Sequence, residues 1–371
     1  MRIKKSYLII GLLVVVAAAF VVGVFNNSNS ETEDVPLQAY FSASGNFIVA
    51  YQKTFSTQLT VLPEQKKITV LLNDSIVFVQ TNPAKNLSFT LNTKGLDLGN
   101  YRLRVLATAS EGTSTEDERI LTLVSDIVPA NWTLRIVNTF PHNDSSFTQG
   151  LAFSEGRLFE GTGDPKNIGA TFIGEVELKT GKILRRRTKA MPVFGEGVTA
   201  LNGELFQITW KNDSCFVYDE TTLTPIRTHN YAGEGWGLTH NGSQLIMSDG
   251  TARIVFRDPK TFAEIKSIQV FTHQGSLPYL NELEYIDGLL YANVWMSNMV
   301  AVIDPNNGRV IATIDATELV KKGKGNGEVL NGIASKLQSY ETVPQTDTGG
   351  RDEYSKALER TQEKELGKLV P

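Results

Sequence analysis

The chain has 371 residues, 20% of them charged, and a formal net charge of −4. This length allows two domains with a sizeable core, and the lack of a basic patch argues against nucleic acid as a partner. The single cysteine, Cys215, excludes an internal disulfide. The four histidines show no ligand spacing, which argues against a histidine-built metal site.

An apolar segment over residues 7–25 follows a basic N-terminus with Arg2, Lys4 and Lys5. Its length can span the hydrocarbon core of a bilayer, and the basic flank predicts that the remainder of the chain is exported. We therefore predict a membrane-spanning signal anchor and linker over residues 1–30, with the rest of the protein in the periplasm or at the cell surface. A cleaved signal peptide, which would release a secreted protein, is the alternative, although its apolar region is usually shorter.

Residues 31–127 carry the alternating pattern of β-strands, most clearly over 68–72, 75–79, 87–91 and 101–105. Short strands at roughly ten-residue spacing, separated by Asp, Gly and Asn, predict a small Ig-like β-sandwich domain. Because no group of chemically active residues occurs here, we favour a spacer over a ligand-binding module.

Five short segments further along the chain align with one another at spacings of 47, 40, 45 and 50 residues. Self-similarity at such a period is typical of solenoids and propellers. The five segments offer four different side chains at the same position, which is how a propeller builds a site at its axis. The segments are Gln149-Gly150-Leu151, Glu196-Gly197-Val198, Trp236-Gly237-Leu238, Asn281-Glu282-Leu283 and Asn331-Gly332-Ile333.

Between these segments, a small-residue turn and an acidic turn recur in phase, and each introduces a strand. Each unit therefore predicts a four-stranded blade, and five units predict a five-bladed β-propeller over residues 130–334. A strand over residues 134–139 would complete the last blade. The pattern stops after Ala334, so we expect an incomplete last blade and, over residues 335–371, a charged tail unrelated to the repeat. The predicted fold class is all-β.

Eight motifs in the repeat region carry a resemblance to a known family. They are Phe147-Thr148-Gln149-Gly150-Leu151, Phe194-Gly195-Glu196-Gly197, Gln207-Ile208-Thr209-Trp210-Lys211, Gly235-Trp236-Gly237-Leu238, Ser248-Asp249-Gly250, Leu280-Asn281-Glu282-Leu283-Glu284-Tyr285, Ala292-Asn293-Val294-Trp295 and Leu330-Asn331-Gly332-Ile333-Ala334. In this order and spacing, residues from about 132 to 334 resemble the plant- and bacterial-type glutaminyl cyclotransferases. That family converts N-terminal glutamine of peptides and proteins to pyroglutamate and releases ammonia.

The resemblance implies a five-bladed propeller and a set of site residues. Glu196 corresponds to the family's catalytic acid/base, and the implied substrate-binding residues are Gln149, Trp210, Trp236, Asn281, Trp295, Phe147 and Phe194. The family also ends in a segment with Thr-Gly-Lys, whose lysine belongs to the site, and this sequence has no such segment. Lys356, Lys364 and Lys368 lie in no comparable context, so a catalytically impaired propeller that binds peptides is the alternative.

The chemistry of these residue types suits an intramolecular cyclisation. Glu196 can shuttle a proton from the substrate's amine to the leaving nitrogen, with its pKa raised by neighbouring aromatic rings. The amides of Gln149 and Asn281 can bind the substrate carboxamide or the developing oxyanion. Tryptophan side chains can shape the pocket, although packing in the blade core is an equal alternative for them. For Asn331, we favour capping of a turn over a role in catalysis.

We expect no metal at the site and no required cofactor, although backbone carbonyls at a propeller axis can hold a structural cation. Asp164, Asp249 and Glu284 are alternative cation ligands or turn caps. A metal-dependent propeller hydrolase such as a lactonase would need several carboxylates around one metal, and the repeated position offers a single glutamate. The expected partners are peptides or proteins with N-terminal glutamine and, through residues 7–25, a membrane; we expect a monomer.

Overall fold

The computed structural model of the protein describes residues 36–109, 114–143, 145–166, 168–189, 192–323 and 329–336. These residues form strands, turns and a short helix, α1 (Thr317–Gly323), so the all-β prediction is confirmed. The predicted membrane segment 7–25 and residues 337–371 of the predicted tail lie outside the described residues. Within the part of the chain that is described, no helix has both the length and the apolar content needed to cross a bilayer.

The described residues form two compact units. One contains residues 36–44, Thr57–Phe89 and those described within Leu103–Glu118, and the other contains Gly45–Ser56, Thr90–Arg102 and the described residues from Arg119 onward.

The N-terminal strands form a three-stranded and a five-stranded sheet. These strands are β1 (Ala39–Phe41), β2 (Phe47–Ala50), β3 (Thr54–Val61), β4 (Gln65–Leu72), β5 (Ser75–Thr81), β6 (Asn86–Asn92), β7 (Gly99–Ala109) and β8 (Ser114–Val124). Their orders are β1-β3-β6 and β2-β8-β7-β4-β5. In β4, alternate residues Ile68, Val70 and Leu72 are buried, as the period-2 pattern requires. All four strand runs predicted here are confirmed.

From residue 130 onward the strands follow the predicted repeat. They are β9 (Ala130–Trp132), β10 (Thr148–Ser154), β11 (Arg157–Thr162), β12 (Phe172–Val176), β13 (Ile183–Thr188), β14 (Gly195–Leu201), β15 (Glu204–Thr209), β16 (Ser214–Asp219), β17 (Pro225–Asn230), β18 (Leu238–His240), β19 (Leu245–Ser248), β20 (Arg253–Arg257), β21 (Glu264–Gln269), β22 (Phe271–Thr272), β23 (Gly275–Ser276), β24 (Leu280–Ile286), β25 (Leu289–Val294), β26 (Met299–Ile303) and β27 (Val310–Asp315). Four large sheets result, with orders β10-β11-β12-β13, β14-β15-β16-β17, β18-β19-β20-β21 and β24-β25-β26-β27-β9, and β22 pairs with β23 between the third and the fourth. All neighbours in them are antiparallel except β27 and β9.

Burial falls from the first to the last strand of the second sheet. Every residue of β14 is buried, whereas most of β17 is at least partly exposed. A strand buried on both faces needs a run of small and apolar residues rather than an alternating pattern. Residues 195–201 form such a run, and its one carboxylate is that of Glu196. The first strand of the sheet therefore carries the candidate site residue into the interior.

The acidic turns act as the sequence predicts. The Oδ1 atom of Asp219 accepts hydrogen bonds from the N–H and the hydroxyl of Thr222, at 2.7 and 2.8 Å. Asp258 repeats this with Thr261, at 2.8 and 3.0 Å. Because the carboxylate satisfies backbone donors of the turn, the chain reverses at a fixed residue and the next strand enters in register.

The predicted strand over residues 134–139 is not formed. Residues 133–143 have no regular structure, and β9 instead pairs in parallel with β27, through Ala312↔Ala130 and Ile314↔Trp132. The strand over residues 134–139 was expected to join the strands of the fifth repeat, whereas β27 belongs to the fourth. The fifth repeat is represented among the described residues by 329–336, which contain no extended strand.

Candidate functional site

Glycines bring the first strands of the four sheets into direct backbone contact. A Cβ atom added to Gly150 would clash with the backbone of Gly197 and Val198, one on Gly197 with Gly237 and Leu238, and one on Gly237 with Asn281 and Glu282. The N–H of Gly197 also donates to the carbonyl of Trp236 at 2.9 Å. The first four repeated segments therefore lie side by side in chain order, as the sequence predicts.

The fifth segment lies between the fourth and the first. The side chain of Asn331 donates to the Oε1 atom of Gln149 and accepts a bond from the Nδ2 atom of Asn281, the latter at 3.3 Å. Asn331 was expected to cap a turn, but it bridges the two predicted substrate-binding amides instead. The Oδ1 atom of Asn281 is buried and has no hydrogen-bond partner among the described residues, so it is available to accept an N–H group.

Predicted aromatic residues form two connected groups. The ring of Phe194 packs edge-on against Phe147 and Trp210, with centroids 6.1 and 5.7 Å apart. Trp236 packs edge-on against Trp295 at 5.5 Å. Trp210 and Trp295 are 36% and 40% exposed, which excludes a pure core-packing role for these two side chains. Gly163 lies between Phe194 and Gln149, and an added Cβ atom would meet both side chains.

Glu196 is buried in β14, with 6% of its surface exposed. No donor among the described residues makes a hydrogen bond to its carboxyl group. Burial raises the pKa of Glu196 well above its ordinary value, and the negative charge of Glu234 raises it further. The carboxyl group is thus held in an environment that favours its protonated form. The sequence analysis also expected a raised pKa for Glu196 in the role of a proton shuttle.

Two residues at the site were missed by the sequence interpretation. Glu234 accepts hydrogen bonds from the indole N–H groups of Trp210 and Trp236, at 2.8 and 3.0 Å. Tyr279 packs beside Trp295, with ring centroids 6.1 Å apart. Neither residue occupies the repeated position, so the repeat pattern does not indicate that they belong to the site.

Comparison with known proteins identifies the family. A family model described as glutamine cyclotransferase matches residues 104–342 of the chain. This chain belongs to the glutamine cyclotransferase family. The match begins inside the range 31–127 that the sequence assigns to a separate domain.

This chain is similar to a plant protein and to a bacterial protein of known structure. Over 208 residues the chain is 36% identical to a glutaminyl-peptide cyclotransferase of Arabidopsis thaliana, a segment that covers 54% of this chain and 64% of the plant protein. The chain thus spans less than two thirds of the length of this relative. The crystal structure of Myxococcus xanthus glutaminyl cyclase is 33% identical, with a TM-score of 0.53, and the match covers 57% of this chain and 90% of that one.

In this cyclotransferase-family chain, two further glutamates of β24 hold the fifth segment. Glu282 accepts the N–H of Ile333 at 2.8 Å, and Glu284 accepts the N–H of Ser335 at 2.9 Å. Both carboxyl groups are buried. Because each bonds to backbone of residues 333–335, they tether the segment that carries Asn331.

Asp164 and Asp249, which the sequence offered as cation ligands or turn caps, both cap turns. Asp164 accepts the N–H groups of Gly169 and Ala170, at 2.6 and 3.0 Å. Asp249 accepts the N–H of Thr251 at 2.9 Å. Within the described residues, no three His, Cys, Asp or Glu side chains converge as metal ligands would.

Because of Glu284, we expect the free energy of unfolding of this protein to fall as the pH rises. Burial raises its pKa to about 8, against the opposing hydrogen bonds from Ser335 and Thr239. In the unfolded chain the group ionises near its ordinary value of 4.5. Between these values the folded state holds a proton that the unfolded state has lost, so raising the pH favours unfolding. Glu196 and Glu282 shift in the same direction.

We expect the free energy of unfolding to decrease by about 1 kcal/mol per pH unit for this group between about pH 6.5 and 8. Glu284→Gln should remove that part of the slope, as measured by denaturant unfolding at several pH values. His240, whose pKa is lowered from 6.5 to about 4 by burial, acts in the opposite direction between those two values, and the same contribution is present in the wild-type chain and in the variant. An unchanged slope in the variant would contradict the assignment.

Proposed function

We propose that this protein is a glutaminyl-peptide cyclotransferase that converts N-terminal glutamine to pyroglutamate with release of ammonia. Membership of the family supports this proposal, and so do the plant and bacterial relatives. The single observation that carries it is the buried Glu196, which has no hydrogen-bond donor among the described residues. It lies on a strand in direct backbone contact with β10, which bears Gln149, and with the segment that follows Trp236.

In the proposed architecture, residues 130–334 form a five-bladed propeller whose four sheets are successive blades, with residues 329–336 in an incomplete fifth. The backbone contacts from Gly150 through Gly237 support the order of the blades, and Asn331 supports a contact between the last and the first. A β-sandwich over residues 31–127 precedes the propeller. Its support is the packing of Phe78 of β5 against Phe89 of β6, whose ring centroids are 5.7 Å apart.

The proposed reaction forms one C–N bond and breaks another. The substrate's α-amine nitrogen bonds to its own γ-carboxamide carbon, and the bond from that carbon to the amide nitrogen then breaks. Glu196 gives its proton to the departing nitrogen and regains one from the attacking amine, so that ammonia leaves and the carboxyl group ends the reaction protonated as it began. A free α-amine has a pKa of about 7.7–8.0, and a carboxyl group with a raised pKa exchanges a proton with it more readily than an ordinary one.

The neighbouring side chains would orient the substrate. The unpartnered Oδ1 atom of Asn281 is suited to accept an N–H from the substrate carboxamide, and Gln149 is held next to it through Asn331. Edge-on aromatic pairs around Phe194 and Trp236 offer apolar surface for the folded-back glutamine side chain. Holding the amine against the carboxamide in this way can supply several kcal/mol of the barrier.

We further propose that the reaction needs no metal or other cofactor, because each proton transfer has a protein group to carry it. A structural cation on the propeller axis is compatible with this mechanism. Residues 7–25 would anchor a monomeric protein in the membrane, with the site exposed outside the cytoplasm to peptides and proteins that begin with glutamine.

A mass-spectrometric assay tests the proposed function. The full chain is incubated with a peptide that begins with glutamine, and we expect the peptide to lose the mass of ammonia faster than in a sample without protein. The same peptide with an acetylated N-terminus is the matched control, because its amine cannot attack. Binding of the free peptide without loss of mass would instead identify a protein that retains the pocket without turnover.

A further inference from the structure

Glu234 joins side chains from two neighbouring sheets. Its Oε2 atom accepts the indole N–H of Trp210, which follows β15, at 2.8 Å, and that of Trp236, which precedes β18, at 3.0 Å. One carboxylate oxygen thus fixes the orientation of two tryptophans on different elements. Since an indole has only this one donor, each ring is held by a single hydrogen bond to the same atom.

Lys211 is the third side chain that contacts Glu234, after Trp210 and Trp236. The Nζ atom of Lys211 lies 3.3 Å from the Oε1 atom of Glu234 and 4.0 Å from the centroid of the Trp210 ring. The second carboxylate oxygen therefore faces a cation, while the first faces the two indoles. Although partial burial acts in the opposite direction, the hydrogen bonds from Trp236, Trp210 and Lys211 lower the pKa of Glu234. The group remains ionised at neutral pH.

The carboxylate of Glu234 also acts on Glu196. Trp236 connects them, because its carbonyl accepts the N–H of Gly197, the residue after Glu196. The strands packed against β14 present Gln149 from β10 and Gln207 and Thr209 from β15. Their charged or titratable side chains have partners of their own: Arg157 with Glu220, Glu160 with His142, Glu204 with Arg227, and His240 with the N–H of Gly242. Burial is the larger cause of the raised pKa of Glu196, and the charge of Glu234 raises it further.

We propose that Glu234 is a positioning residue that orients Trp210 and Trp236 and places a negative charge on the segment that is hydrogen-bonded to the residue after Glu196. This inference rests on the proposed function for its catalytic consequence. Glu234 thus has two effects, on the orientation of the tryptophans and on the charge near Glu196, and substitution can separate them. The hydrogen bonds require an acceptor atom at that position, whereas the electrostatic effect requires a charge.

Glu234→Gln separates these effects because the glutamine side chain keeps an acceptor oxygen and loses the charge. In a pH profile of kcat/KM on a glutamine-initiated peptide, we expect the limb that reports Glu196 to move to lower pH by about 0.5 to 1 unit. The maximum rate should fall by less than about tenfold, since both indoles keep an acceptor. Glu234→Ala should show the same shift together with a raised KM, because the tryptophans lose their common partner.

Lys211→Met is the matched variant with the opposite expected sign. Removing the cation leaves the charge of Glu234 less compensated, so the limb should move to higher pH. A role of Glu234 in folding alone would lower activity without moving the limb in either variant. Equal losses in Glu234→Gln and Glu234→Ala with unchanged profiles would overturn the inference.

Infrared spectroscopy tests the effect of Glu234 on the titration of Glu196 and does not require turnover. The carbonyl stretch of the protonated Glu196 carboxyl is identified by its absence in Glu196→Gln, and its titration is followed in the full chain and in Glu234→Gln. We expect a lower titration midpoint in Glu234→Gln. If the wild-type chain releases no ammonia, the proposed function fails while this measurement still decides the role of Glu234. An unchanged midpoint in an active enzyme overturns the role alone.

Discussion

Glu196→Gln should reduce the rate of pyroglutamate formation by at least about 100-fold, the usual contribution of a positioned acid/base group. Glutamine has nearly the same shape as glutamic acid, but its amide cannot give a proton to the leaving nitrogen and regain one from the attacking amine. Binding of the peptide should change little, because the aromatic side chains and amides around position 196 remain. The loss should therefore appear in kcat rather than in KM.

The control for this substitution is Glu318→Gln in helix α1. The side chain of Glu318 is 74% exposed and pairs with Lys321 at 2.7 Å, and such surface ion pairs contribute little to stability. This variant should keep wild-type activity, measured as ammonia released from the same peptide. Retention of more than about a tenth of wild-type kcat by Glu196→Gln would contradict the proton-shuttle role.

The repeat in the sequence predicted which segments lie side by side because one physical requirement generates most of it. In the first three segments a glycine allows two backbones to touch, so Gly150, Gly197 and Gly237 fix the spacing, and Glu282 takes the equivalent place in the fourth. The residue before each glycine then lies at an equivalent place in its own sheet. A pattern of this kind can be read from one chain, and it brought together Gln149, Glu196, Trp236 and Asn281.

Other features depended on contacts that have no sequence pattern. Glu234 is part of the site because of the directions in which two indole N–H groups point, and those directions arise only when β15 and β18 become neighbours. The strand expected over residues 134–139 has suitable alternation, but it also needs a neighbouring strand from the fifth repeat. Among the described residues that repeat consists of 329–336, which contain no extended strand.

Gly237→Ala should strongly destabilise the repeat region, although it adds only one methyl group. The added Cβ atom would clash with the carbonyl oxygen of Asn281 and with the Cα atom of Glu282. Both are backbone atoms in β24, so neither can rotate away as the end of a side chain could. Overpacking of this kind costs about 3 kcal/mol, which should lower the midpoint of thermal unfolding by about 10 °C.

Tryptophan fluorescence is a suitable probe for this measurement, because all four tryptophans lie beyond residue 130. Gly203→Ala is the matched control, since an added Cβ atom there meets nothing within 4 Å, although its φ angle of 78° strains any other residue. We expect it to cost only about 1 kcal/mol. If both variants unfolded at the same temperature, the close approach of β18 and β24 would not be the constraint that holds these sheets in place. Because that approach sets the distance between Trp236 and Asn281, Gly237→Ala should also lose activity at temperatures where it remains folded.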